Sequence, residues 1–227
     1  MSSEAWAALA DDAETLARLH DRELDAATIA ALREVGFPAN LALLPQDDVS
    51  RHAWAAMRAA IDYYIPHPPQ AADLDALAAE YAAIYLTGAY GASPAESVWL
   101  DQDHIACQQP MFELREIYRA AGLAAENWRK RPDDHLVLQL QYIAHALRRG
   151  ASAVPGDTAS HNFLPGEPGA MMDAHLLRWL PDFAARVAAR GALPFHPALA
   201  HLTVVWCRAL RELLAADGQV PSQDNSA

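Results

Sequence analysis

The 227-residue chain carries 17 basic and 29 acidic side chains, and its net charge of −12 argues against nucleic-acid binding, which needs a basic surface. The two cysteines, Cys107 and Cys207, are too few for a disulfide framework and favour a reducing compartment. Because there is no signal-peptide pattern and no apolar run near the roughly 20 residues of a membrane span, we expect a cytoplasmic protein without stable membrane insertion.

Helical periodicity dominates the chain from its first residues. Apolar side chains recur at spacings of three and four from Trp6 to Leu19, which predicts one apolar face of a helix. Residues 89–104 have turn chemistry and no clean period, and no strand-like alternation of useful length appears anywhere. The sequence therefore predicts an all-α fold of the multi-helix bundle type. Further helices are predicted at about 25–35, 47–64, 72–86, 110–121, 133–148, 171–189 and 197–215.

One Gly/Pro/Ser-rich stretch, residues 150–169, interrupts this pattern and is not expected to form a regular helix. The helices after it are too few to form a second core, so we expect a single domain over 1–216 and a polar tail over 217–227. A long connection at 150–169 also permits the last two helices to exchange between protomers. Both a monomer and a domain-swapped homodimer are therefore expected forms.

Sequence motifs for catalysis are missing, since the chain has no phosphate-binding loop, no His-Glu-x-x-His, no Glu-x-x-His and no Gly-x-Ser-x-Gly. The densest group of metal-ligating residue types is Asp101, Asp103, His104 and Cys107, whose spacing matches no standard zinc pattern. We therefore expect no cofactor. The alternative hypothesis is a helical metal- or ligand-binding sensor or enzyme with a site near Asp101, His104 and Cys107.

The step Pro132-Asp133-Asp134-His135 precedes the periodic run that begins at Leu136. One aspartate is explained as a helix cap, because its carboxylate can accept a bond from a free backbone N–H and complements the helix dipole. A cap does not account for the second aspartate or for His135. An aspartate–histidine pair at a helix end also suits a polar anchor for the arginine or backbone of a peptide, and the residues alone leave both interpretations open.

Hydroxylated and aromatic side chains gather between residues 80 and 100. Tyr81 and Tyr85 lie four apart on one predicted helix face, and Tyr90 and the segment Ser97-Val98-Trp99-Leu100 follow. These rings are either core residues or the lining of a groove that holds an amphipathic peptide.

Three stretches of the sequence, taken together and in order, resemble the TorD/DmsD/NarJ family of cytoplasmic chaperones for molybdenum-containing redox enzymes, and most closely its TorD/DmsD-like branch. Some positions differ from the family pattern: Arg131 replaces a glutamate, Gln139 and Gln141 replace acidic residues, Tyr85 a phenylalanine and His196 a tyrosine. The three stretches are Glu80-Tyr81 with Tyr85-Leu86 and Glu96–Leu100; Pro110–Tyr118, closing at Ala121-Gly122-Leu123; and Pro132–Leu136 with Leu140, Tyr142 and Ile143.

The resemblance implies a chaperone rather than an enzyme. Such a protein binds the twin-arginine signal peptide, or the apo form, of a molybdopterin-containing catalytic subunit and holds it for cofactor insertion before export or assembly. Asp133 and Asp134 are expected to form charge-assisted bonds with the two arginines of the leader. The client's identity, and the choice between leader and mature body, stay open. The residues expected to bind the client are Asp133, Asp134, His135, Tyr81, Tyr85, Ser97, Trp99 and Leu100.

Overall fold

The computed structural model describes residues 1–63, 70–127, 129–152 and 167–217. These residues form helices and connecting turns, with a single isolated bridge between Ala95 and His135 in place of any sheet, so the predicted all-α fold is confirmed. The helices are α1 (Ser3–Asp21), α2 (Ala26–Glu34), α3 (Asp48–Asp62), α4 (Ala71–Tyr81), α5 (Ser97–Leu100), α6 (Gln109–Ala120), α7 (Leu136–Ser152), α8 (Glu167–Met171), α9 (Leu177–Arg190) and α10 (Phe195–Asp217).

The starts of several helices follow directly from local sequence. Asp25 accepts a bond from the backbone N–H of Thr28 (2.7 Å) and so caps α2. Asp47 and Ser50 bond reciprocally at the start of α3 and form a capping box. Pro110 lies in the first turn of α6, where a proline costs no intrahelical hydrogen bond.

Within the described residues, two helices pass through a π-helical turn, which widens the helix by one residue and shifts the faces on either side. The first turn, Ala82–Leu86, continues α4 and places Tyr85 one turn from Tyr81 on a wall of the candidate site. The second, Met172–Leu176, joins α8 to α9 and contains the buried His175.

The hydrophobic core is one cluster that extends from Trp6 in α1 to Leu214 in α10. Within it α1 packs along α7, while α10 packs against both α3 and α9. Trp179, Trp206 and Phe183 are among the largest side chains that are fully buried. The core therefore joins the two ends of the described chain; the boundaries proposed for the domain, 1–216 and 217–227, stay a prediction.

Some sequence expectations about element limits are wrong. The stretch 150–169 is helical at both ends, because α7 continues to Ser152 and α8 begins at Glu167 with Pro168 in its first turn. A short helix, α5, lies inside 89–104, where only turns were expected. Residues 153–166 and 218–227 lie outside the described residues, and they make up most of the expected connection and of the expected tail.

No helix in the described ranges is both long enough and apolar enough to cross a bilayer.

Candidate functional site

A groove of about 340 Å³ lies where three separate segments of the chain meet. One wall is the end of α4 with its π-helical turn, the second is the segment around Pro94, and the third is the turn before α7. The first and third walls belong to stretches that were singled out from the sequence, so residues up to about fifty positions apart in the chain share one surface feature. The groove is lined by Tyr81, Ile84, Tyr85, Leu86, Thr87, Gly88, Ser93, Pro94, Ala95, Ala106, Lys130, Arg131, Pro132 and His135.

Tyr81 and Tyr85 form the aromatic wall, with ring centroids 4.8 Å apart. Both hydroxyls have partners within the protein: Tyr81 donates to the carbonyl of Asp21 (2.7 Å), and Tyr85 bonds to Nδ1 of His20 (2.5 Å). Burial raises the pKa of Tyr85 well above its ordinary value and lowers that of His20 to about 3. The tyrosines therefore present ring surface to the groove, while their polar groups are directed to other partners.

His135 lines the groove and also caps α7. Its Nδ1 accepts the backbone N–H of Val137 (3.2 Å), which leaves Nε2 as the protonated nitrogen and donor of a neutral ring. Burial, with the nearby Arg131, lowers the pKa of His135 to about 3, so the imidazole is neutral at physiological pH. The histidine, and neither aspartate, supplies the side-chain cap of this helix; the expectation of an aspartate cap is wrong.

Asp134 joins the third segment to the second. Its Oδ2 accepts both the backbone N–H (2.8 Å) and the hydroxyl (2.5 Å) of Ser97, and its carbonyl accepts the N–H of Glu96 (3.1 Å). The N–H of Leu136 in turn donates to the carbonyl of Pro94 (2.8 Å). We call this set of bonds the Asp134–Ser97 clamp. Asp134 is fully buried, and the helix that was predicted from Asp133 begins three residues later, at Leu136.

A buried polar network continues from the clamp. Gln139 donates through Nε2 to the carboxylate of Glu96 (3.0 Å) and to the carbonyl of Asp134 (3.0 Å). Nδ1 of His175 lies 2.9 Å from the other oxygen of Glu96. Burial raises the pKa of both carboxyl groups, Glu96 and Asp134, although their hydrogen bonds act in the opposite direction. This network joins the clamp to α7 and to the π-helical turn that contains His175.

Asp133 is held by a different partner. Arg115 of α6 places Nη2 at 2.8 Å and Nε at 3.2 Å from the same carboxylate oxygen, and the Tyr118 hydroxyl donates to the Asp133 carbonyl (3.0 Å). The aspartate side chain is 3% exposed, so a charge without this guanidinium would be left buried and unpaired. The contact between Arg115 and Asp133 ties α6 to the turn before α7.

The rim of the groove includes Lys130 and Arg131, so this edge is cationic. Arg131 forms an ion pair with Asp21 at the end of α1. Trp99 and Leu100 are half-buried outside the groove lining; the Trp99 indole N–H donates to the carbonyl of Ser93 (2.8 Å) and so supports the second wall from behind.

The structure thus divides the residues predicted to bind a client into three groups. Tyr81, Tyr85 and His135 line the groove, and Asp133, Asp134 and Ser97 lie buried behind it, engaged with protein partners. Whether any of them contacts a client stays a prediction. The third group, Trp99 and Leu100, lies beside the groove.

The alternative metal site has no supporting geometry. Within the described ranges, which include Asp101 to Cys107, no three His, Cys, Asp or Glu side chains are placed to hold a metal ion. Instead, Asp101 accepts the N–H of Asp103 (2.9 Å), and Nδ1 of His104 lies 3.0 Å from the carbonyl of Val98.

Sequence reasoning missed a second buried pair, Glu80 with His196. The two carboxylate oxygens of Glu80 accept the backbone N–H groups of Ala192 (2.7 Å) and Leu193 (3.1 Å) and bond to the His196 ring (2.7 Å). Burial acts to raise the pKa of Glu80, but these bonds outweigh it and lower the pKa. The signals in the sequence were a glutamate directly before Tyr81 and a histidine at 196 where the family pattern has a tyrosine.

Comparison with known proteins identifies the family. A sequence model described as nitrate reductase delta subunit matches residues 46–185, more than half of the chain. The chain belongs to the nitrate reductase delta subunit family. The match contains every residue predicted to bind the client, and the resemblance stated from the sequence is confirmed.

Relatives of the chain within this family carry the name chaperone protein TorD. The protein of Shewanella pealeana is 28% identical over 149 residues, which is 62% of each chain. A Vibrio cholerae protein is 31% identical over 57% of this chain and 58% of its own length, so the chain spans about three fifths of both relatives. A Vibrio vulnificus protein is 25% identical over 85% of this chain and 87% of its own. These names point to a chaperone and not to an enzyme.

Proposed function

We propose that this protein is a cytoplasmic chaperone that binds the twin-arginine signal peptide, or the apo form, of a molybdopterin-containing catalytic subunit and holds it for cofactor insertion. Membership of the nitrate reductase delta subunit family and relatives named as chaperones support the general role. The observation that carries the site is the groove itself, because it brings residues of the first and the third family-like stretches together in one concave surface.

The chemistry of the groove favours an apolar stretch of the client as the part that enters it. The Tyr81 and Tyr85 rings form one wall, and Leu86 at its edge is 66% exposed. The neutral His135 offers an Nε2–H donor to a peptide carbonyl. Lys130 on the rim disfavours a second cation nearby. An apolar segment flanked by polar backbone therefore complements this surface better than an arginine does.

The two aspartates predicted to pair with the leader's arginines act, in this proposal, chiefly through the shape of the groove. Asp134 holds the wall through Ser97, and Asp133 holds it through Arg115. Both carboxyl groups are buried, so a direct bond to a leader arginine would require the surrounding side chains to move apart. We therefore assign Asp133, Asp134 and Ser97 as positioning residues, with Tyr81, Tyr85 and His135 as contact residues.

Titration separates leader binding from binding of the mature body. The purified protein is titrated with a synthetic twin-arginine leader, with the same leader carrying alanine at both arginines, and with the catalytic subunit lacking its leader. We expect saturable binding of the intact leader or of the leaderless apo subunit. Loss of leader binding on removal of both arginines assigns recognition to the leader. Absence of binding in all three titrations would refute the proposal.

A further inference from the structure

A second cavity lies beside the N-terminal helix α1 and shares no lining residue with the groove of the proposed chaperone site. It has a volume of about 410 Å³ and is bordered by α1, α2 and the turn that follows α2. This volume is within the range of pockets that hold small molecules. The residues lie before the segment matched by the family model, which begins at residue 46.

The base of this cavity is apolar. Leu19, Leu24, Leu32 and Phe37 line it, and each is buried, with Phe37 fully so. Val35 at its edge is 54% exposed, although it lies beside this apolar surface. Occupation by an aliphatic chain would remove this surface from water, at a gain of about 25 cal/mol for each Å² covered.

The polar edge of the same cavity is cationic. Arg18 and Arg22 both line it, and Nη2 of Arg18 is oriented by a bond to Thr15 (3.1 Å). In the part of the chain that the structure describes, neither guanidinium forms an ion pair. Glu14, four residues before Arg18, is paired with Arg148 instead (2.7 Å). Both guanidinium groups therefore keep donors for a ligand, on a chain with twelve more acidic than basic side chains, 29 against 17.

We propose that this cavity binds a small amphipathic anion, of the class of a medium-chain carboxylate. The aliphatic part lies on the leucines and Phe37, and the carboxylate accepts hydrogen bonds from Arg18 and Arg22, whose planar donors match it. The cavity is concave and of limited volume, which favours a small molecule over the broad face of a protein partner.

Isothermal titration calorimetry with octanoate tests the proposal, with octyltrimethylammonium as the probe of opposite charge. We expect octanoate to bind saturably, and the cation to bind weaker by about tenfold or more, the factor that one charge-assisted hydrogen bond contributes. Arg18→Gln combined with Arg22→Gln is expected to remove this preference for the anion. Equal binding of both probes, or no saturable octanoate binding, would overturn the proposal.

A matched pair of variants locates the site. Ala31 is exposed and lines the cavity, whereas its neighbour Ala30 is exposed and does not line it. Ala31→Trp is expected to fill the opening and abolish octanoate binding, while Ala30→Trp keeps it. Because neither alanine belongs to the core, both variants are expected to retain the helical circular dichroism spectrum. Octanoate binding that survives Ala31→Trp, or that both substitutions remove equally, places the ligand elsewhere and contradicts the proposal.

Discussion

Replacing Asp134 by alanine removes the acceptor at the centre of the clamp. The change leaves the buried N–H of Ser97 without its partner at 2.8 Å and the Ser97 hydroxyl without its partner at 2.5 Å. Leaving a buried donor unsatisfied costs about 1–3 kcal/mol, and part of this is offset because the alanine removes a carboxyl group that burial makes harder to ionise. We expect the free energy of unfolding to fall by about 2–4 kcal/mol, which lowers the melting temperature by about 4–16 °C.

Urea unfolding followed by far-UV circular dichroism measures this loss. Asp134→Asn keeps one side-chain oxygen that accepts from Ser97 and places an amide group at the position of Oδ1, an atom that has no partner in the described protein. The free energy of unfolding of this variant is expected to fall by about 1 kcal/mol. Asp182→Ala, at an exposed position on α9, serves as the control and is expected to stay within about 0.5 kcal/mol of the parent protein. A loss below 1 kcal/mol for Asp134→Ala, or equal losses for alanine and asparagine, would refute the reasoning about the clamp.

Three further predictions concern other buried polar groups. Arg115→Met leaves the Asp133 carboxylate buried and unpaired, so the free energy of unfolding measured in urea should fall by about 3 kcal/mol, and adding Asp133→Asn should restore more than half. The pKa of His20 is lowered from 6.5 to about 3 in the folded state; the unfolded chain binds the proton first, so stability falls as pH decreases below 6.5. In unfolding measured from pH 6.5 to 5, His20→Gln should reduce that slope by about 1 kcal/mol per pH unit, because the unfolded histidine is half protonated at the upper limit and almost fully protonated at the lower. Glu80→Ala should speed amide hydrogen exchange at residues 192–193, because their N–H groups lose their acceptor.

Each of these three predictions can be contradicted by a specific result. If Arg115→Met combined with Asp133→Asn is no more stable than Arg115→Met alone, the lost stability does not come from an unpaired Asp133 carboxylate. An unchanged slope in His20→Gln would show that this histidine takes up its proton in the folded protein. Unchanged exchange in Glu80→Ala would mean that the turn before α10 does not depend on the glutamate.

The sequence predicts the helices well because each is built from local information. The stripe from Trp6 to Leu19 is a property of one segment, and it lies in α1 with those side chains buried. The same holds for the cap at Asp25, whose carboxylate accepts a hydrogen bond from the N–H of Thr28, three residues later. The turn before α7 shows the limit, because His135 caps the helix while Asp134 bonds to Ser97, which is 37 residues earlier.

The candidate site could be predicted only in outline for the same physical reason. Which segments meet depends on packing between helices far apart in the chain, and such contacts leave no periodic signal. Gln139 was noted only as a departure from an acidic pattern, yet it is buried and bonds to Glu96. Glu80 and Glu96 were recognised only as residues of the family-like stretches. Their partners, His196 and His175, could not be assigned without the fold.

The central claim is that the groove binds the client, and one substitution on its edge tests it most directly. Leu86 is 66% exposed and lines the groove, whereas Val49, 58% exposed at the start of α3, lies outside it. Binding of a fluorescent twin-arginine leader, or of the labelled apo subunit, is measured by anisotropy for Leu86→Glu and Val49→Glu. The account predicts that Leu86→Glu weakens binding by about tenfold or more, while Val49→Glu binds as the parent protein does. Equal affinity of the two variants would contradict it.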